Sequence, residues 1–282
     1  MLRLTEPVHT FEQSIDDCGA GIAGYMPLKL KLSNGKVELV NAGEQYSAAA
    51  LAGGLASIAP FRGSSLDIVI AGITKGELVK VYDQYFVPED KVARRVYDAI
   101  MNSAREKCPF CGGIGTPRNL DHFLPKAYFP QFAFLPVNLV PACRDCNMDG
   151  KADAVAATEE DQPIQPYLDD AKFFNEQWVY ATYHSGAGGV LGRFEYSASP
   201  PARWSAIDKL RVTRHFECFD LAKRYSVKAA EHLAIVFGQI ERLRLKGLTQ
   251  ADIRHVLLEP GVDQAPFVNH WQRGMYQALM EL

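Results

Sequence analysis

Apolar and polar residues follow two different spacings along the chain. Two short runs, Leu28 to Leu32 and Lys36 to Val40, alternate residue by residue around the turn sequence Ser33-Asn-Gly35, which predicts a small β-hairpin. From Trp204 to the end, apolar residues recur mainly at helical spacing and predict a bundle of helices. The pattern therefore predicts a mixed α and β protein that ends in helices.

The middle of the chain combines two predicted strands with a predicted helix. Asn119 to Pro125 and Val137 to Pro141 each have a short strand-like core that stops at a proline, so we expect a hairpin with a long connection. The run 147–158 is rich in alanine and carries Asp and Lys near its start. We expect a helix that begins between Cys143 and Asn147.

These elements place the chain in the α+β class, with three regions. Residues 1–105 form a mixed, mainly helical region, 106–160 a central core, and 161–282 a hairpin joined to a helical bundle. Of the 282 residues, 48% are hydrophobic, which is ample for a folded core. Residues 1–16 carry acids and no continuous apolar run, and the longest apolar stretch, 48–61, is too short to cross a bilayer. We expect a cytoplasmic protein without membrane contact.

Four cysteines form two Cys-x-x-Cys pairs, Cys108/Cys111 and Cys143/Cys146. Each such turn lets two thiolates reach one ion, and two turns complete the tetrahedral Cys₄ site that Zn²⁺ prefers in structural roles. The alternatives are four unrelated buried cysteines or two disulfides, and disulfides are rare in cytosolic proteins. We predict a structural zinc ion at the base of a functional insertion.

The segment from Cys108 to Lys151 resembles the HNH endonucleases, which have the ββα-metal fold, in the subgroup framed by two Cys-x-x-Cys pairs. Asp121-His122 matches the first motif element, Asn138 the second, and Asn147 the third, which is His in many members and Asn in others. The resemblance implies a ββα-metal core with a structural Cys₄ zinc, flanked by mainly helical regions. It also implies metal-dependent hydrolysis of phosphodiester bonds, with DNA as the expected substrate.

The resemblance assigns a role to each motif residue. It makes His122 the general base, and a histidine with an ordinary pKa of about 6.5 is largely neutral near pH 7. Asp121 and Asn147 would hold the catalytic ion, and oxygen ligands favour Mg²⁺ or Mn²⁺ over Zn²⁺. Asn138 would orient the His122 loop. Because neighbouring strand residues point to opposite faces, we expect a strand end or a bulge at Asp121-His122.

Basic residues near the motif are candidates for phosphate contacts. Lys126, Arg144 and Lys151 lie close to it in sequence, although such residues are often merely solvated. Between Arg203 and Lys246, ten Lys and Arg face five acids, whereas the whole chain has a net charge of −3. This stretch is either a DNA-backbone face or a solvated helix face.

The flanking strings are similar to those of HNH nucleases encoded beside an ATPase in bacterial anti-phage systems of the Septu and retron type. The strings are Asp121-His-x-Leu-Pro-Lys126, Asn138-Leu-Val-Pro141 and Pro166-Tyr-x-Asp169. This second resemblance implies an antiviral effector with an ATPase partner.

Two rival functions stay open. The first is a zinc-stabilised module that binds nucleic acid without cutting it. The second is a module whose long helices bind a protein partner while the nuclease core is degenerate. Neither rival predicts Mg²⁺-dependent cleavage, and only the first predicts salt-dependent DNA binding.

Overall fold

The described part of the protein is mainly helical and carries three small antiparallel sheets. The computed structural model describes residues 1–151, 155–186 and 192–282, apart from the side chains of Asp149 and Lys151. The helices before the first cysteine pair are α1 (Phe11–Gly21), α2 (Met26–Asn34), α3 (Lys36–Leu51), α4 (Lys75–Val81) and α5 (Arg94–Ser103), and the wide π-type helix Tyr82–Phe86 continues α4. The strands β1 (Ile68–Ile70) and β2 (Ile73–Thr74) pair with each other.

The helices begin where the sequence supplies caps. Thr10 and Gln13 form a capping box at the start of α1, and Thr74 and Glu77 form another at the start of α4. In each box the threonine hydroxyl accepts a hydrogen bond from the backbone N–H of the residue three positions later. The side chain of that later residue accepts one from the threonine backbone N–H. These caps satisfy backbone groups that the helix itself leaves unpaired.

The predicted hairpin near the start of the chain is wrong, because this segment forms α2 and α3. Leu28 and Leu32 lie four residues apart on one helical face and are fully buried, whereas Leu30 between them is exposed. Gly35 ends α2 and caps α3, and a methyl group there would lie only 2.5 Å from the Ala71 side chain. The glycine therefore lets the α2–α3 junction pack closely against the turn between β1 and β2, and it does not form a hairpin turn.

The central core follows the predicted order of strand, strand and helix. Strand β3 (Asn119–His122) pairs antiparallel with β4 (Leu139–Ala142), so that His122 lies opposite Leu139. After β4, the chain forms a short π-type helix, Asp145–Lys151, which we call the knuckle helix. It begins within the predicted range, but it covers only part of the alanine-rich run, because residues 155–158 are not helical and 152–154 lie outside the described residues. The register is regular and β3 stops at His122, so the expected discontinuity is a strand end.

The C-terminal region is a hairpin covered by long helices. Strands β5 (Val179–His184) and β6 (Arg193–Ala198) pair antiparallel. The helices of this region are α6 (Lys172–Asn175), α7 (Ala206–Cys218), α8 (Leu221–Leu245), α9 (Gln250–Ile253), α10 (Glu259–Asp263) and α11 (Trp271–Met280), with the π-type helix Arg254–Leu258 between α9 and α10. Helix α11 packs on β5 and α8 packs on β6. No helix in the described ranges is both long and apolar enough to cross a membrane.

A buried segment, 162–169, ties the central core to the C-terminal region. The Tyr167 hydroxyl donates to the carbonyl of Leu139 at 2.8 Å, and the Gln165 amide donates to the carbonyl of Val137 at 2.8 Å. Asp169 forms a two-pronged ion pair with Arg211 of α7, at 2.8 and 2.5 Å. Within the Pro166-Tyr-x-Asp169 string, Tyr167 therefore supports β4 and Asp169 ties the segment to α7.

Replacing Asp169 by alanine should strongly destabilise the fold. Both partners are almost fully buried, with Asp169 1% and Arg211 3% exposed, so the variant leaves a buried and uncompensated guanidinium. We expect a loss of about 3–5 kcal/mol in the free energy of unfolding, measured by urea denaturation. The control is Asp170→Ala, because Asp170 is exposed and should cost less than about 1 kcal/mol. Equal losses in the two variants would contradict the assignment.

His215 should make stability depend on pH. Its Nε2 donates to the Phe110 carbonyl at 2.9 Å and its Nδ1 accepts from the Ile164 N–H at 3.4 Å, so the folded ring is neutral. Burial, aided by the charges of the Met1 amino group and Arg211, lowers the pKa of His215 to about 3. The neutral His215 ring contributes fully to the free energy of unfolding above the ordinary histidine pKa of about 6.5. This contribution is lost as the pH falls toward 3.

The slope from this one proton is about 1.4 kcal/mol per pH unit, because only the unfolded chain binds it in that window. Urea denaturation at pH 6, 5 and 4 should show a shallower dependence for His215→Gln than for the natural protein. His270, whose pKa burial also lowers to about 3, stays in both proteins and leaves a residual slope. Identical slopes would show that His215 is not the group responsible.

Candidate metal centre and active-site cleft

The four paired cysteines meet at one buried point. The sulfur atoms of Cys108, Cys111, Cys143 and Cys146 all lie within 4.8 Å of one another, and those of Cys111 and Cys143 are 4.0 Å apart. Four sulfurs around a zinc ion with bonds of about 2.3 Å would be separated by about 3.8 Å. None of the four is in a disulfide. The prediction that these cysteines converge is confirmed, and the donor set fits Zn²⁺.

The loop after the first cysteine pair closes the cluster through Gly115. Its backbone N–H donates to the Cys111 sulfur at 3.3 Å, and its carbonyl accepts from the Cys108 N–H at 3.0 Å. A methyl group at this position would lie 2.5 Å from the Cys143 sulfur. Only glycine therefore lets this loop pass so close to the second cysteine pair.

Helix α8 supplies polar groups to the same cluster. The Arg224 guanidinium lies 3.1 Å from the Cys146 sulfur and 3.7 Å from that of Cys143. Burial alone would lower the pKa of Arg224, but the nearby cysteine sulfurs raise it above its ordinary value. The Tyr225 hydroxyl is fully buried and has no hydrogen-bond partner among the described residues, and burial together with the charges of Cys111 and Cys146 raises its pKa.

A cavity of about 410 Å³, which we call the cleft, gathers three of the four other motif residues and reaches the cysteine cluster's neighbour in sequence, Asn147. Asp121 and His122 at the end of β3 line it together with Asn147 of the knuckle helix. Tyr82 and Lys126 also line it. The fold thus brings a carboxylate, an imidazole and an amide from two separate elements to one cleft.

The His122 ring is held on two sides. Its Nε2 lies 2.8 Å from the carbonyl oxygen of Ala133, and the ring packs edge to face against Tyr82 with the centroids 4.5 Å apart. A carbonyl only accepts hydrogen bonds, so Nε2 carries the hydrogen and a neutral ring has its lone pair on Nδ1. Burial raises the pKa of Tyr82, which keeps its hydroxyl protonated and excludes it as a base.

Asn138 is fully buried, and its side chain joins Leu124 and Phe132 in the loop that follows His122. Its amide oxygen accepts from the Leu124 N–H at 2.7 Å, and its amide nitrogen donates to the carbonyls of Leu124 and Phe132 at 3.1 and 3.0 Å. The backbone carbonyl of Asn138 accepts from the Phe123 N–H at 2.7 Å. The side chain therefore holds the loop that follows His122 and does not line the cleft.

The basic residues near the motif occupy different places. Lys126 lies at the cleft, pairs with Asp83 at 2.5 Å and lies 4.7 Å from the centre of the Tyr82 ring. Arg144 is exposed and is not among the described residues that line the cleft. The side chain of Lys151 lies outside the described part of the structure.

The basic stretch between Arg203 and Lys246 does not form one uniform face. Arg211 is buried against Asp169, and Arg224 contacts the cysteine cluster. Arg203 pairs with Glu176 at 2.6 Å. Arg214 and Lys223 are exposed. Arg211 and Arg224 hold the fold together and are not available to a phosphate backbone.

Comparison with known proteins identifies one relationship. No protein-family model matches the chain, and no solved structure matches it. The chain is 35% identical over 296 aligned positions to protein ea31 of Escherichia phage lambda, across 99% of this chain and 97% of the relative. The chain belongs to the ea31 family. Because the match runs nearly end to end, it covers the cysteine cluster, the cleft and the helices that pack on them.

Three groups that contact the site lie outside the sequence motif. Tyr82 packs on His122 from the π-type helix that continues α4, and the Ala133 contact uses only a backbone carbonyl. Arg224 lies 78 residues beyond Cys146. No local pattern marks these positions, although π-type turns occur frequently at functional sites.

Removing one sulfur ligand should release the metal and weaken the fold. Cys143→Ser should bind less zinc than the natural protein and unfold at lower urea, because structural zinc contributes folding free energy directly. Metal analysis of the purified proteins and urea denaturation test this. The matched control is Cys218→Ser, because Cys218 lies outside the cluster. This substitution should leave the zinc content and the urea midpoint unchanged. Full zinc content in Cys143→Ser would rule out the four-cysteine site.

Proposed function

We propose that this ea31-family protein is a metal-dependent HNH endonuclease that hydrolyses phosphodiester bonds of DNA. The observation that carries the proposal is the meeting of Asp121, His122 and Asn147 in one cleft beside a buried four-cysteine cluster. Three residues from the motif's first and third elements converge although 25 positions separate His122 from Asn147. The strand-strand-helix order of the core is the arrangement that the HNH resemblance calls for.

In the proposed reaction, His122 takes the proton of the attacking water. A neutral ring with its hydrogen on Nε2 offers its lone pair at Nδ1, and the Ala133 carbonyl fixes that tautomer. When Nδ1 accepts a proton, the ring becomes positive, and the same carbonyl stabilises it through the Nε2 hydrogen bond. Tyr82 packs against the ring and restricts its rotation.

Asp121 and Asn147 are the proposed ligands of the catalytic ion. A carboxylate and an amide oxygen are the kinds of atom that Mg²⁺ and Mn²⁺ prefer, and both residues line the cleft. The bound ion would stabilise charge on the phosphate and on the departing oxygen. Asn138 acts from behind the cleft, since its three side-chain hydrogen bonds fix the loop that follows His122.

Lys126 is the described basic residue best placed to meet a phosphate. It lines the cleft, and its partner Asp83 is half exposed, so a phosphate oxygen competes with that carboxylate for the ammonium group. Arg144 and Lys151 are assigned the same role with less support, because Arg144 is not among the described cleft residues and the Lys151 side chain is not described.

The biological setting follows from the flanking strings. Their similarity to nucleases of Septu- and retron-type systems supports a cytoplasmic antiviral effector whose cutting an ATPase partner holds in check. Two of the strings have a structural role here, because Asn138 anchors the loop that follows His122, Tyr167 supports β4 and Asp169 pairs with Arg211 of α7. A net charge of −3 fits a nuclease that gains part of its DNA affinity from a partner.

One observation favours the rival function of a binding module that does not cut. His122 is only 9% exposed and hydrogen-bonded to a carbonyl, as a purely structural histidine would be. The two functions differ in one measurable respect, which is cleavage that depends on a divalent ion. A binding module would retain DNA affinity and show no cutting.

Replacing His122 by alanine should abolish cutting without loss of zinc, since His122 is not a cysteine-cluster residue. Plasmid cleavage with Mg²⁺, Mn²⁺ or EDTA should show activity only in the natural protein with a divalent ion, with a fall of at least about 100-fold for His122→Ala. The matched control is His184→Ala on β5, which is exposed and should cut normally. Cutting by His122→Ala at the natural rate would remove the mechanism.

A further inference from the structure

Arg224 contacts the cysteine cluster in a way that no sequence motif records. Its guanidinium donates from Nη1 to the Cys146 sulfur and to the Phe219 carbonyl, at 3.1 and 3.3 Å. From Nη2 it reaches the Asp145 carboxylate at 3.2 Å and the Cys143 sulfur at 3.7 Å. One side chain of α8 thus contacts three of the four residues from Cys143 to Cys146.

The chemistry of these contacts requires electron-rich sulfur. A guanidinium has only donors and remains protonated, so both sulfurs must accept. A thiolate accepts a charge-assisted hydrogen bond far better than a neutral thiol does. The geometry around Arg224 therefore suits deprotonated cysteines, which is the state that metal binding imposes.

The charge balance leads to the same conclusion. Four thiolates and one Zn²⁺ carry a net charge of −2, and all four cysteines are buried. A buried charge is costly unless a neighbouring group compensates it. Arg224, whose side chain is only 14% exposed, lies within hydrogen-bond reach of the second cysteine pair and brings one positive charge to it.

We propose that Arg224 is a positioning and charge-compensating residue of the cysteine-bound metal centre, and that it links α8 to the knuckle helix. The link has two parts. The sulfur contacts hold the Cys143–Cys146 turn, and the Asp145 contact holds the first residue of the knuckle helix. Asn147, which lines the cleft, lies one residue beyond Cys146, so Arg224 also sets where that amide stands.

This inference rests on a metal bound by the four cysteines and does not rest on nuclease activity. Its test therefore uses metal binding and spectroscopy. The first variant, Arg224→Met, keeps a long unbranched stem but removes the charge and the hydrogen-bond donors. The second, Arg224→Lys, keeps the charge but not the two-pronged donor. The matched control is Lys223→Met, the preceding residue on α8, which is exposed.

Zinc affinity, measured by competition with a chromophoric chelator, should fall by about 10- to 100-fold in Arg224→Met, the range typical for groups that support metal ligands. Arg224→Lys should lie between Arg224→Met and the natural protein, and Lys223→Met should equal the natural protein. With Co²⁺ in place of zinc, the sulfur-to-cobalt charge-transfer band should move to longer wavelength in Arg224→Met, because thiolates that lose a donor hold their electrons less tightly.

Three results would overturn the proposal. The first is natural affinity together with an unshifted cobalt band in Arg224→Met. The second is an equal loss in Lys223→Met, which would mean that α8 acts only through general packing or charge. The third is a natural protein that binds neither Zn²⁺ nor Co²⁺. If Arg224→Met does not fold, the band position and affinity of Arg224→Lys decide the matter. A protein that binds metal as expected but cuts no DNA would refute the nuclease and leave this inference standing.

Discussion

The convergence of two cysteine pairs from distant parts of the chain is the constraint on which the site depends. Cys111 and Cys143 are 32 residues apart, yet their sulfurs lie 4.0 Å from each other. Everything between them must leave and return to one point, which is why β3 and β4 pair antiparallel at the base of the insertion. The knuckle helix starts at the second pair, so the same point also fixes where Asn147 lies.

Burial sets the second constraint, because the central core is too small to shield itself. The N-terminal helices, the segment 162–169 and α8 each contribute a contact to it. Tyr46 of α3 packs edge to face on Phe132, with the ring centroids 5.2 Å apart, Tyr167 holds the carbonyl of Leu139, and Arg224 meets the second cysteine pair. The flanking regions are therefore part of the site's support.

The sequence predicts those features whose cause is local. The cysteine cluster follows from two short turns, and the strand end at His122 follows from the need for neighbouring residues to face one cleft. The first hairpin fails for a physical reason. The run Leu28-Lys-Leu-Lys-Leu32 fits both a strand of period two and a helix in which Leu28 and Leu32 share a face, and packing decides for the helix.

Contacts between distant segments are what sequence reasoning lacked. Tyr82 meets His122 from 40 residues away, and Arg224 meets Cys146 from 78 residues away. The charge count between Arg203 and Lys246 shows the same weakness. It adds Arg211 and Arg224 to a possible DNA face, whereas the first neutralises Asp169 and the second lies against sulfur. A sum of charges along a chain says little about a surface until burial is known.

The electrostatics of the cleft give the divalent ion a second role in the proposed enzyme. Among its described side chains, the cleft holds the carboxylate of Asp121 and one lysine, Lys126, which already pairs with Asp83. The metal centre beside it carries a further negative charge when its thiolates are bound to Zn²⁺. An anionic phosphate would therefore meet little net attraction from the protein alone. A divalent ion held by Asp121 and Asn147 reverses that balance, so the ion that promotes the reaction would also be the main source of attraction for the phosphate to be cut.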